Sequence, residues 1–138
     1  MESALRLLRL VQIAMLVSIA LYVFVGEKAT GRAAAPNPTV LYAISVASIS
    51  LVGVIFVVRR TLVAPSEVQL LATPDDGAVL ARWRAGYICT YALCEALALF
   101  GLVLRILGFT LAQVWPYYVG GFALMLVCAP RRPRAEAG

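Results

Sequence analysis

The sequence predicts an all-α integral membrane protein, a four-transmembrane-helix bundle that runs up-down-up-down with both termini inside (N-in/C-in). Three observations carry this. Of the 138 residues, 62% are hydrophobic and only 14% charged, against roughly 45–50% and 25% in an ordinary soluble domain. The charges fall in clusters and leave four apolar stretches near the length of about 20 residues that crosses a hydrocarbon core of about 30 Å as a helix. Finally, arginine gathers at one set of stretch ends, the asymmetry that orients membrane helices.

The whole chain reads as a single transmembrane domain, residues 1–138. Its spans cover about 7–25, 39–58, 86–107 and 110–129, with a cytoplasmic loop at 59–85. The first combines Leu7 and Leu8 with the charge-free apolar run 10–25. A basic start before an apolar run also fits a secretory signal, with Ala33-Ala34-Ala35 as the cleavage sequence. The run is longer than the usual core of a signal peptide, and the small residues lie well beyond it, so an uncleaved anchor is expected. The second span has no charge, and the third has one, Glu95. The fourth is interrupted by Pro116 and by Gly120-Gly121 and is the weakest.

With the N-terminus inside, the inner segments hold Arg6, Arg9, Arg59, Arg60, Arg82, Arg84, Arg131, Arg132 and Arg134, while the outer ones hold only Lys28, Arg32 and Arg105. Aromatic residues fit the same frame as interfacial anchors. Trp83 and Tyr87 fall at the inner end of the third span. Tyr22, Phe24, Tyr42, Trp115, Tyr117 and Tyr118 lie toward the outer side. A net charge of +5 does not point to nucleic acid, because the basic residues flank apolar runs instead of lining a polar face.

Within the inner loop, Ser66 followed by Gln69 has the spacing of a capping box and predicts a short helix on the membrane surface. Thr73-Pro74-Asp75-Asp76 is a second start signal and predicts that the third helix begins near Pro74. A plain connecting loop is the alternative. The last connection, Gly108-Phe109-Thr110, is short enough to make the third and fourth spans antiparallel neighbours.

Glu95, near the middle of the third span, is the residue that asks for a role. A carboxyl at that depth costs a few kcal/mol and has to face other helices. Counting at 1.5 Å per residue from the inner ends puts Ser18, Ser48 and Gly121 at its level. Ser18 and Ser48 are therefore its expected polar neighbours in a proton or ion site. Small residues mark the expected close-packing faces: Ala43, Ala47, Ser50 and Gly53 on the second span, Ala92 and Ala98 on the third, Gly120 and Gly121 on the fourth. A buried acid of this kind either binds a proton or cation or holds two helices together by hydrogen bonding.

The run Glu95-Ala96-Leu97-Ala98-Leu99-Phe100-Gly101-Leu102-Val103 resembles the ion-carrying helix of the rotary ATP synthase ring subunit, subunit c. Over these nine residues the resemblance implies that Glu95 carries a proton or sodium ion. The whole layout is similar to small four-span bacterial membrane proteins of unknown function, through Arg82-Trp83-Arg84, Ala92-Leu93-Cys94-Glu95-Ala96 and Arg131-Arg132-Pro133. That likeness implies a bacterial inner-membrane location and no established activity.

Catalysis is not expected. There is no histidine, no metal ligand set and no nucleophile–base pair, and Cys89, Cys94 and Cys128 lie in apolar stretches without a Cys-x-x-Cys spacing. No cofactor is implied. The expected role is that of a non-enzymatic accessory, structural or assembly component of the inner membrane, with a proton- or cation-binding subunit as the alternative. Its expected partners are the lipid bilayer and another membrane protein or a second copy of the chain.

Overall fold

The computed structural model describes residues 1–29 and 35–133. Arg32, Arg134 and the Ala33-Ala34 pair of the possible cleavage sequence lie outside them. The described residues form helices and no strand: α1 (Glu2–Lys28), α2 (Pro38–Val58), a widened π-type turn (Arg59–Val63), α3 (Ala64–Ala72), α4 (Gly77–Ile106) and α5 (Leu111–Val127). Three runs are long and apolar enough to cross a membrane: α1, the continuous 35-residue run Pro38–Ala72, and α4. With 17 residues, α5 is an apolar helix shorter than these.

The helix ends follow local chemistry. Asn37 caps α2 by accepting from Thr39 N at 2.9 Å, with Pro38 in the first turn. Leu107, Gly108 and Phe109 close α4. The N–H of Phe109 donates to Leu104 O and that of Gly108 to Arg105 O, each at 3.2 Å, and Gly108 has φ 98°. This is a Schellman closure, whose left-handed position favours glycine. Buried Phe109 and Leu104 supply its apolar contact. Directly after it, Thr110 N donates to Gln113 Oε1 at 3.1 Å and starts α5.

The inner loop holds a short helix, and α4 begins ahead of Gly86, as its two start signals predict, but the caps differ. Ser66 does not cap a separate helix. It is buried mid-run, and its hydroxyl donates to Leu62 O at 2.6 Å. The helix passes straight from α2 into α3 through the π-type turn, in which the N–H of Ala64 reaches back to Arg59 O. Pro65 gives the physical reason: it has no N–H, and its ring would collide with a carbonyl one turn back in a regular helix. A widened turn makes room without ending the helix. Nor does Thr73 start α4. It ends α3, donating its hydroxyl to Gln69 O at 3.1 Å, while Asp76 caps α4 by accepting from Ala78 N at 2.9 Å. An aspartate carboxylate outcompetes a threonine hydroxyl already spent on the preceding turn.

α4 is the hub. It packs against α1, α2, α3 and α5, whereas α1 and α2 do not approach one another among the described residues. In the most apolar window of each run, 44% of α4 is buried but only 11% of Pro38–Ala72, so α2 is peripheral. α1 runs in the same direction as α4, with Tyr22 beside Glu95 and Glu27 beside Arg105. α5 runs opposite, with Tyr91 reaching Cys128 O. Outward faces are apolar, as with Ile49 at 73% exposed. In water this would be an aggregation surface, and facing lipid it carries no such cost.

Trp83, Tyr87 and Tyr91 are fully buried along one face of α4. The ring centroids of Trp83 and Tyr87 are 5.1 Å apart and those of Tyr87 and Tyr91 6.0 Å apart. Trp83 and Tyr87 therefore form a core ladder, not the expected interfacial belt. Buried indole and phenol groups need acceptors, and Glu67 of α3 takes both, at 3.5 Å from Trp83 Nε1 and 3.0 Å from Tyr87 OH. Tyr118, expected at the outer interface, is also buried.

Candidate functional site

Glu95 points from α4 toward α1. The Tyr22 hydroxyl donates to its Oε1 at 2.6 Å, the short end of the range for O–H···O bonds. The carboxyl is half-buried. Side chains on a helix tilt toward its N-terminus, so the phenol of Tyr22 drops roughly one turn below its own Cα and meets Glu95 across the interface.

Ser18 and Ser48 are engaged elsewhere. Ser18 Oγ donates to Ala14 O at 3.2 Å, and Ser48 Oγ to Ile44 O at 2.7 Å. A serine hydroxyl is short, and the carbonyl one turn back is its nearest acceptor, so neither bridges to α4. Ser48 lies with Gly120 on an apolar groove between α2, α4 and α5, whose lining also includes Leu97 and Pro116. Also lining that groove, Ser45 Oγ and Tyr117 OH are 2.7 Å apart and join α2 to α5.

The small residues divide into two groups. Ala98 is fully buried where Gly121 crosses it: a Cβ on Gly121 would lie 2.7 Å from Cys94 O and 3.3 Å from the Ala98 Cβ. Gly120 meets Leu97 at an ordinary 3.5 Å. In contrast, Ala43, Ala47, Ser50, Gly53 and Ala92 are exposed on the outside, and nothing lies within 4 Å of a Cβ built on Gly53. The expected packing of α2 through its small stripe is therefore not found among the described residues. α2 meets its neighbours through the opposite face, where Ser48 and Ile55 are buried. Branched Ile55 fills interhelical space that an alanine stripe would leave empty.

Two further ties were not singled out from the sequence. Gln12, buried in the first span, donates from Nε2 to Met125 O at 3.0 Å and links α1 to α5. Gln12 is the one amide within the apolar run 10–25, so the rule that picked out Glu95 applies to it as well. At the other end, Arg105 makes a two-pronged pair with Glu27, Nε to Oε1 at 3.0 Å and Nη2 to Oε2 at 3.2 Å, and also donates to Phe109 O at 2.9 Å. Gly26 allows this closure, since a Cβ there would lie 2.9 Å from Tyr118 OH.

Among the described residues no group of three or more Cys, Asp or Glu gathers as a metal set. The arrangement around Glu95 thus offers one carboxyl and one phenol bridging two helices. No protein-family model, no curated protein and no solved structure matches the chain.

Proposed function

We propose that this is a small non-enzymatic integral protein of the bacterial inner membrane, an accessory or assembly component whose midplane carboxyl holds its helices together. The Tyr22–Glu95 hydrogen bond carries this reading, because it gives the expensive intramembrane acid a partner on a different helix. With Gln12–Met125 and Ser45–Tyr117, it belongs to a set of single polar contacts that stitch α1, α2, α4 and α5. Such contacts are the usual adhesive where lipid removes the hydrophobic drive for helices to associate. In this reading α5 is the fourth span, the helices alternate up-down-up-down, and both termini are cytoplasmic. The bilayer is one partner. Another membrane protein or a second copy meets the outward face of α2, where Ala43, Ala47, Ser50 and Gly53 permit close approach.

The experiment is substitution of Glu95. Glu95→Gln keeps the shape and an acceptor for Tyr22 and is expected to accumulate and melt like the parent. Glu95→Leu strands the phenol and is expected to lower stability in detergent. A Leu variant more stable than the parent would overturn the reading.

A further inference from the structure

At the inner end of the molecule, a cavity of ≈ 760 Å³ opens between α1, the π-type turn, α3, Tyr87 of α4, the end of α5 and the segment after it. Four arginines line it: Arg9, Arg59, Arg131 and Arg132. Among the described residues its single carboxylate is Glu67, already an acceptor for Tyr87 and Trp83, and Arg132 is paired with Glu2. Arg59 is the unusual one. It stands at the start of the widened turn, with its guanidinium 5.8 Å from the centroid of the Tyr87 ring, and its Nη1 is buried without a hydrogen-bond partner among the described residues.

A buried guanidinium N–H without an acceptor is costly unless a ligand supplies one. The fold takes trouble to hold it there. Gly86 lets the turn close onto α4, since a Cβ on Gly86 would lie 2.8 Å from Val63 Cγ2. That contact fixes the turn beside Tyr87, and π-type turns recur at functional sites.

We propose that this cavity binds a phosphate-bearing anion, gripped by Arg59 and flanked by Arg9 and Arg131. Guanidinium forks match the geometry of phosphate oxygens. The volume of ≈ 760 Å³ lies within the range of small-molecule sites and leaves room for more than a bare phosphate. Val127, Ala129 and Pro130 give one wall an apolar character that suits an acyl stem. Arg9, Arg59 and Arg131 each stand at the end of an apolar run, the level at which anionic headgroups meet basic pockets between helices. A phospholipid headgroup and a soluble phosphate ester share this chemistry. The site is separate from the Tyr22–Glu95 tie and stands or falls without it.

The test uses the full chain, delipidated in a neutral detergent, with short-chain phosphatidylglycerol, short-chain phosphatidylcholine and glycerol 3-phosphate as probes. Binding is read by native mass spectrometry and by the shift in melting temperature. Phosphatidylglycerol is expected to bind and stabilise in preference to the zwitterionic lipid. Arg59→Gln is expected to weaken this by about tenfold or more, the usual weight of a charged hydrogen bond, and Arg82→Gln, which lies outside the cavity, to leave it unchanged. Binding of glycerol 3-phosphate with the same Arg59 dependence would identify a soluble phosphate ester as the ligand. If Arg59→Gln does not fold, Arg9→Gln and Arg131→Gln carry the same expectation. No binding of either anionic probe, or binding that is equal in the parent and in the cavity variants, would overturn the proposal.

Discussion

Gly121 sits so close to Cys94 that a single methyl group on it would lie 2.7 Å from the Cys94 carbonyl oxygen. The obstacle is backbone, so α4 and α5 would have to move apart to admit it. Gly121→Ala is therefore expected to cost about 1–3 kcal/mol, the usual range for overpacking. Gly53 is the internal control, because a Cβ there meets nothing within 4 Å. Gly53→Ala is expected to be neutral or to stabilise by about 0.5–1 kcal/mol through helix propensity. Melting of both variants in detergent checks the pair, and equal effects would contradict it.

Glu67 docks α3 onto α4 through Tyr87 and Trp83. Glu67→Ala leaves the buried Tyr87 hydroxyl without this acceptor, at an expected cost of about 1–3 kcal/mol. Hydrogen exchange should then speed up across Ala64–Ala72 more than across α5. Unchanged protection of α3 would show that Glu67 is not its anchor.

Both termini and the inner loop are expected to be cytoplasmic, since Arg131, Arg132 and Arg134 resist translocation. A reporter active only in the periplasm, fused at Gly138, should be silent, and a cytoplasm-active one should work. The reverse pattern would invert the topology.

The outward stripe on α2 gives a prediction about company. Cysteine introduced at Ala43 or Ala47, both exposed, is expected to cross-link to a second chain or another protein in native membranes. Monomer alone at both positions would leave lipid as the sole neighbour of that face.

The helical class and the long apolar spans were legible in the sequence because they depend on composition and length, which local pattern reports directly. The inner loop was less so. Ser66-x-x-Gln69 and Thr73-Pro74 both have the spelling of helix starts, yet Pro65 was absorbed by a widened turn and Asp76 took the cap. Such outcomes turn on competition between neighbouring groups, which a spacing rule does not weigh. The acid itself was legible from its insertion cost, but Tyr22 as its partner was not. Depth arithmetic treats side chains as points on the helix axis. A tyrosine reaches back about a turn and across to the next helix, whereas Ser18 and Ser48 reach only their own backbone. The use of α2's faces also escaped the sequence, because a helix that is apolar all round gives no pattern to show which side meets protein.

The most direct measurement is a double-mutant cycle on Tyr22→Phe and Glu95→Leu, read as unfolding free energies in detergent. The expected coupling is about 1 kcal/mol, in line with interhelical hydrogen bonds in membranes, so removing the phenol oxygen should matter only while Glu95 is present. Effects that simply add, within about 0.3–0.5 kcal/mol, would contradict the role of Glu95 as the tie between α1 and α4.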